Sequence, residues 1–310
     1  MKPYLYIRGL RHADHTVFCV QDGQKFYYDS QFGVRCAYSS GQQVKRSIIN
    51  TIMENMNEPE APITFNYTLS TEKNKITEKT TLGNGEPWSP CDPTFTDQLL
   101  GGWMRASAAS TTVKRRSPLS ISAMRPLHPL LGGMTKENAT FDRSSNPDRH
   151  PVRVRDSKGN ELSEEEVQEF LTSNTGRTLN RRNWIPDLAR TSGLFVYDIA
   201  IDMRTLFSVS LNTHEPEIDT ATAQKLRDSG WIESKNIFGS CLVCPEKQRE
   251  DIIAQLAHGL LNWRITTNQA RTFSPMETLA VAISDNANQI TGAIRARLDD
   301  EKERLAALPV

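Results

Sequence analysis

Residues 32–46 read FGVRCAYSSGQQVKR, and this stretch changes character midway. Its first part is a short apolar segment typical of a strand. Apolar residues then recur at helical spacing from Val44 to Ile52. Ser39 or Ser40 can cap that helix, because a serine oxygen accepts hydrogen bonds from the free N–H groups of the first turn. The pattern predicts a strand that leads into a capped helix, which ends near Asn57.

The start of this helix combines features that favour an anion. Gln42, Lys45 and Arg46 are spaced i, i+3 and i+4, so they share one face, whereas Val44 points away from it. Free N–H groups and the positive end of the helix dipole lie at the same place. We interpret the segment as a phosphate-binding helix start, to which Arg35 on the preceding strand can contribute. A surface helix with solvated cations is an equally good interpretation of the pattern alone.

The composition allows a core but predicts no membrane span. The chain has 310 residues, 37% of them hydrophobic, and no apolar run approaches the roughly 20 residues that a spanning helix needs. Arg8 interrupts the N-terminal apolar stretch before a signal-peptide core can form. Five cysteines, an odd number, fit reduced thiols better than a secreted disulfide framework. We therefore expect a cytoplasmic protein without membrane contact.

Basic and acidic residues balance over the whole chain but not along it. There are 37 of each, so the net charge gives no indication of a nucleic-acid partner. Arginine and lysine nevertheless gather mid-chain with few acids, and Arg115, Arg116 and Arg125 belong to this group. The tail from Asp299 is acid-rich. A solvated mixed surface explains such runs as well as a binding site does.

Strand and helix patterns alternate along the chain. Strands are predicted at residues 4–7, 16–20, 25–28, the end of 115–122, and 193–202, with a hairpin turn at Asp22–Gly23. Helices are predicted at residues 163–171, 220–229, 246–263 and 286–308. Residues 62–93 and 126–183 are rich in proline, glycine and small polar residues, which predicts a β-hairpin excursion and an extended insertion. The strand at 193–202 begins apolar on both faces, so we place it at the centre of a sheet.

Motifs for enzyme chemistry are weak. Cys241 and Cys244 have the spacing of half a zinc site, but no second pair follows, which favours two buried thiols at a strand end. His12 and His15 flank Asp14 without a further ligand at a helical offset. No Walker A loop, nucleophile elbow or dinucleotide fingerprint is present. We expect neither a metal site nor a cofactor.

Four short blocks occur in an order that resembles one family of RNA-binding proteins. They are Phe32–Arg35 with Ser39–Arg46, Leu100–Met104 with Leu119–Ser122, Ser192–Tyr197, and Asn268–Pro275. Together they span nearly the whole chain and resemble the backbone subunit of the type I CRISPR Cascade complex, the DevR-type CRISPR-associated autoregulators. The segment Ala123–His128 departs from the histidine-rich continuation usual in that family, so the resemblance does not place the RNA contacts of the thumb.

The resemblance implies an α+β fold shaped like a right hand. The whole chain, 1–310, would form a single palm domain with an RNA-recognition-motif-like (ferredoxin-like) sheet. A finger-like β insertion at 60–96 and a thumb-like insertion at 126–190 would interrupt it. The two proline-rich stretches described above fit these insertions.

The resemblance also implies a function in antiviral defence. Such subunits oligomerise along a CRISPR guide RNA (crRNA), assemble with other Cascade subunits, and present the guide for pairing with target DNA. The family motifs assign backbone contacts, which carry no sequence information, to the capped helix, and place a methionine against a displaced base. With the mid-chain charge, the predicted crRNA-binding residues are Arg35, Ser40, Gln42, Lys45, Arg46, Met104, Arg115, Arg116, Arg125, Asn268 and Arg271.

Two other functions stay open. Related type III backbone subunits cleave target RNA with acidic residues in thumb-like loops, and Asp142 or Asp148 can mimic one. Type I relatives bind without cutting, so we expect a protein that is not an enzyme. The second alternative is a stand-alone autoregulator or scaffold that assembles with partners through the predicted acidic C-terminal helix.

Overall fold

The structure is a computed structural model that describes residues 2–18, 24–73, 78–83, 86–107, 110–142, 149, 151–174, 179, 182–265 and 275–310. The helices in these residues are α1 (Gly41–Met56), α2 (Thr96–Gly101), α3 (Glu164–Ser173), α4 (Thr220–Asp228), α5 (Glu246–Asn262) and α6 (Ala287–Ala293), with a short 3₁₀ helix at Pro129–Leu131. None of these helices is both long and apolar enough to cross a membrane.

The strands in the same residues are β1 (Tyr4–Thr16), β2 (Phe26–Asp29), β3 (Val34–Ala37), β4 (Thr64–Asn66), β5 (Leu69–Lys73), β6 (Glu78–Leu82), β7 (Glu86–Trp88), β8 (Trp103–Ser107), β9 (Ser110–Arg115), β10 (Leu119–Ile121), β11 (Arg125–Pro126), β12 (Gly132–Asp142), β13 (Arg182–Asp202), β14 (Ser208–Ser210), β15 (Ile232–Asn236), β16 (Gly239–Val243), β17 (Met276–Ser284), β18 (Ala296–Leu298) and β19 (Ala307–Pro309). Helices combine with antiparallel sheets, so the fold class is α+β, as predicted.

The chain divides into two compact units. Unit one comprises Met1–Met134 and Thr191–Val310, and unit two comprises Thr135–Arg190. In unit two, Ser163 caps α3 in a capping box, because its hydroxyl accepts from the Glu166 N–H while the Glu166 carboxylate accepts from the Ser163 N–H. The predicted helix at 163–171 is therefore confirmed.

The main sheet has the order β10-β13-β1-β17. β13 pairs with β10 on one side and with β1 on the other, so the central position predicted for residues 193–202 is confirmed. Gly9 lies opposite Tyr197 in this register. A Cβ at Gly9 would lie 2.5 Å from the Tyr197 ring, so glycine leaves the space that this buried ring occupies.

Helices α1 and α5 pack against each other over the core. Val44, Ile48 and Ile52 of α1 are fully buried, and a Cβ at Gly259 of α5 would lie 2.5 Å from Ile52 Cγ1. This close approach explains the glycine. Ile253 is 51% exposed, because it lies at the border of the buried stripe formed by Ile252, Leu256, Gly259 and Leu260.

The predicted final helix at 286–308 is wrong. Only α6 is helical there, and β18 pairs with β19 in a hairpin closed by hydrogen bonds between Arg295 and Val310. Gly292 and the β-branched residues beside it weaken the helix. Ile294 and Ala307 are buried in this segment, whereas Leu298, Leu305 and Leu308 remain exposed.

Other strand predictions have mixed outcomes. The hairpins β4–β7 and β5–β6 confirm the excursion predicted within 62–93. The hairpin β8–β9 was not predicted, and β1 extends well beyond the expected 4–7. The turn predicted at Asp22–Gly23 lies outside the described residues.

Candidate nucleic-acid interface

The N-terminus of α1 is fixed by its own cap and by the neighbouring chain. Ser40 is the N-cap, and its hydroxyl oxygen accepts from the Gln43 N–H at 3.3 Å. Ser39 and Met124 exchange two backbone hydrogen bonds of 2.9 Å. A Cβ at Gly41 would lie 2.3 Å from the Ile121 carbonyl oxygen, so only glycine allows this approach. The Ser-Ser-Gly sequence thus positions the positive end of the helix dipole.

A cleft of about 280 Å³ lies beside this helix. Gln42, Lys45 and Arg46 line it from α1, and Met104 lines it from β8. The prediction that Gln42, Lys45 and Arg46 share one face of the helix is therefore confirmed, and Val44 is buried on the opposite side. Residues from two separate sequence blocks meet in this one cleft.

Lys45 is the least satisfied cation in the cleft. Its side chain is half-buried, and within the described part of the chain no carboxylate lies within ion-pair distance of it. Burial lowers the pKa of Lys45 from its ordinary value, because the charged form loses hydration without gaining a counter-ion. A bound anion would offset that loss, so the surroundings of Lys45 favour an anionic ligand.

Arg46, in contrast, already holds a carboxylate. Its guanidinium lies 2.5 Å from Glu60 Oε2 in an ion pair that is partly exposed. The loop that carries Glu60 is held in turn by Asp97, whose carboxylate accepts from the Ala61 N–H at 3.2 Å. Burial raises the pKa of Asp97, and the nearby Glu60 adds a smaller upward effect. A phosphate that binds Arg46 must therefore compete with Glu60.

Met104 is placed by the glycine pair that precedes it. Gly102 has φ +73°, and a Cβ there would lie 2.6 Å from the Arg115 carbonyl oxygen. This turn joins α2 to β8 and leaves Met104 67% exposed at the cleft. Lys114 lies directly across from Met104 in the β8–β9 register, so both side chains are on one face of the hairpin. Lys114 is exposed. It belongs to the mid-chain basic residues but is not among the predicted crRNA-binding residues.

Arg115 does not belong to any accessible surface. It is 3% exposed, and its guanidinium donates to the carbonyl oxygens of Leu99, Thr205 (2.7 Å) and Ser208 (3.3 Å). Burial lowers its pKa to about 10, and Glu217, 3.9 Å from Nε, offsets part of that effect. Mid-chain charge suggested an RNA contact, but the structure gives Arg115 a role in the core.

Arg35, Arg116 and Arg125 do not line the cleft. Arg35 is exposed on β3, with its guanidinium carbon 5.1 Å from the centre of the Phe26 ring. Arg116 and Arg125 are exposed on other segments of unit one. Asn268 and Arg271 lie outside the described residues.

The candidate residues for other chemistries form no site in the described ranges. Cys241 and Cys244 are buried at the end of β16, as predicted, and burial raises the pKa of Cys244 to about 12. No group of three potential metal ligands comes together among the described residues. The side chain of Asp142 and all of Asp148 are outside the description.

Sequence reasoning missed the walls of the cleft that come from hairpins. Ile63 precedes β4 and Pro87 lies on β7, and both line the cleft together with residues of α1 and with Met104. The available signal was the β excursion predicted at 62–93, which contains both residues but does not indicate where the excursion packs.

Comparisons with known proteins find distant likeness only among solved structures. No family model and no curated protein matches the chain. A "CRISPR RNA-guided surveillance complex, pre-nicking" aligns with 97% of this chain and 80% of its own, at TM-score 0.47 and 11% identity. A second "CRISPR RNA-guided surveillance complex" aligns with 97% and 72%, at 0.42 and 10%. Both are the kind of complex that the sequence blocks resemble, but such distant likenesses establish neither fold nor function.

Proposed function

We propose that this protein is a non-catalytic crRNA-binding backbone subunit of a type I Cascade complex. In this proposal, copies of the chain oligomerise along one crRNA with other Cascade subunits in the cytoplasm, and present it for pairing with target DNA. The observation that carries the proposal is the cleft in which Gln42, Lys45 and Arg46 of one motif meet Met104 of another. These are the residues that the family resemblance assigns to RNA.

The chemistry of the cleft supports binding to a nucleic-acid backbone. The cleft contains a half-buried lysine that has no carboxylate partner among the described residues, an arginine and a helix N-terminus, and all three favour phosphate oxygens. Contacts from such groups to phosphate oxygens carry no sequence information, which suits a protein that must accept any guide sequence. Met104 is exposed and flexible, so it can pack against a base that has left the stack.

The strand order supports an RNA-recognition-motif-like palm. A ferredoxin-like sheet alternates strands and helices as βαββαβ. β1, α1, β10, β13, α5 and β17 follow that sequence, and their strands have the order β10-β13-β1-β17. We assign residues 60–96 to the finger and 126–190 to the thumb, and the compact unit Thr135–Arg190 falls within the proposed thumb.

The test is RNA binding by a variant with both Lys45→Ala and Arg46→Ala. We expect affinity for single-stranded RNA at equal salt to fall at least about 10-fold, because two charge-assisted contacts to phosphate are lost. The plot of log affinity against log salt should also lose roughly 1.4 units of slope, about 0.7 per contact. Copurification of the parent with small RNA and sister subunits should accompany this result.

The matched control combines Lys235→Ala with Lys247→Ala. Both lysines are exposed on elements that do not line the cleft. This control loses two positive charges, as the variant with Lys45→Ala and Arg46→Ala does. Equal losses in the two double variants would reduce the effect to general charge and refute the site. Cleavage of bound target RNA at regular intervals with a divalent metal would instead favour the type III-like alternative.

A further inference from the structure

An exposed aromatic residue lies next to the cleft without an assigned role. Phe65 of β4 is 59% exposed, and Ile63, just before it, is 49% exposed. Large apolar side chains that cluster in the open usually mark a binding surface. Phe65 is therefore a candidate contact for whatever occupies the cleft.

Strand pairing fixes the side of the hairpin on which Phe65 lies. Pro87 is directly opposite Phe65 in the β4–β7 register, and Pro87 and Ile63 both line the cleft. Paired residues of antiparallel strands share a face, and residues two apart along an extended chain do so too. Phe65 therefore lies on the cleft side. Trp88 lies on the other side, its ring centre 5.7 Å from the Arg105 guanidinium carbon.

The charges nearby indicate what covers Phe65. Lys45 lies in the same cleft without a carboxylate partner among the described residues, and Lys114 is exposed beside Met104. Cations that hold phosphates next to an open aromatic ring form the arrangement by which proteins bind single-stranded nucleic acid, since each base presents a π-face for stacking.

We propose that Phe65 stacks on an unpaired base of the RNA strand whose phosphates bind Lys45 and Arg46. This inference rests on the proposed function and adds a base contact on the hairpin side of the cleft. Ile63 extends the apolar surface towards α1, and Met104 faces it from β8. Stacking accepts all four bases, so the contact adds affinity without selecting a guide sequence.

The experiment measures the affinity of Phe65→Ala for two single-stranded RNAs of equal length, an oligouridine and its abasic counterpart. We expect binding of oligouridine to weaken roughly 5- to 100-fold, while binding of the abasic strand and the salt dependence stay unchanged. Phe65→Trp should retain affinity, whereas Phe65→Leu should lose most of it. If a 2-aminopurine base is placed in the strand, binding of the parent protein should quench its fluorescence, and binding of Phe65→Ala should not.

The control is Phe238→Ala, an aromatic residue of similar exposure (56%) that does not line the cleft. If the parent binds oligouridine and Phe65→Ala binds it equally, the stacking contact is refuted while the proposed function stands. If the parent binds no RNA, both fail. Loss of self-association by Phe65→Ala in the absence of RNA would overturn stacking in favour of a contact between protein copies.

Discussion

Lys45 and Arg115 are long cationic side chains on different elements of unit one, α1 and β9, and their surroundings differ. Arg115 is enclosed, and its guanidinium donates to several backbone carbonyl oxygens. Lys45 is half-buried at an open cleft and has no carboxylate or hydrogen-bond partner in the described parts of the chain. Burial lowers the pKa of both side chains. Only in Arg115 do fixed acceptors compensate for the lost hydration.

This difference separates a cation that stabilises the fold from a cation that is proposed to bind an anionic ligand. A buried charge with a full set of acceptors stabilises its surroundings, since its removal leaves those acceptors unsatisfied. A partly buried charge without acceptors costs stability until an anion binds. Substitution of Arg115 should therefore lower stability, whereas substitution of Lys45 should lower RNA affinity without lowering stability.

The largest expected effect is the loss of stability in Arg115→Ala. Its removal leaves the carbonyl oxygens of Leu99, Thr205 and Ser208 without their donor, so we expect the free energy of unfolding to fall by about 3 kcal/mol or more. Urea denaturation followed by circular dichroism measures this. Arg116→Ala, an exposed neighbour, is the control and should change it by less than about 0.5 kcal/mol. Equal midpoints for both variants would contradict the core role of Arg115.

An intermediate effect is expected for Lys45→Met. RNA affinity should fall roughly 10-fold, whereas stability at neutral pH should not fall, because a desolvated charge is replaced by an apolar side chain of similar shape. At pH values between the lowered pKa of Lys45 in the folded protein and its pKa of about 10.4 in the unfolded chain, the unfolded chain binds more protons than the folded one. The parent's stability relative to Lys45→Met should therefore rise with pH through that window. Lys247→Met serves as the exposed control, and a large stability loss in Lys45→Met would contradict the comparison.

The smallest expected effect is tighter RNA binding by Glu60→Gln. Glu60 pairs with Arg46 at 2.5 Å and so competes with phosphate for it. Partly exposed pairs are worth about 0.2–1 kcal/mol, which predicts a gain of roughly 1.5- to 5-fold in affinity. Fluorescence anisotropy at moderate salt resolves such a change. Glu54→Gln, an exposed glutamate of α1 outside any described ion pair, controls for net charge, and an equal gain there would show that Glu60 does not compete.

Local signals predicted the parts of the fold that depend on near neighbours. Ser40 caps α1 and Asn57 ends it in the left-handed region, and α3 begins at Ser163 with a capping box. These features depend on hydrogen bonds within one turn, which short sequence patterns encode. The helix predicted at 286–308 was wrong because the chain after Ala293 leaves the helix and forms the β18–β19 hairpin, and helical spacing of apolar residues gives no information about strand pairing.

For the candidate site, the sequence by itself determined one wall and its chemistry. The spacing of Gln42, Lys45 and Arg46 put them on one helix face, since helical periodicity is a local property. Only the tertiary structure placed Met104, Ile63 and the hairpin that carries Phe65 beside that face. It also paired Arg46 with a carboxylate and buried Arg115 in the core. Those outcomes depend on strand pairing and on acceptors contributed by residues that are distant in the sequence. Charge and periodicity along the chain do not predict which distant groups come into contact.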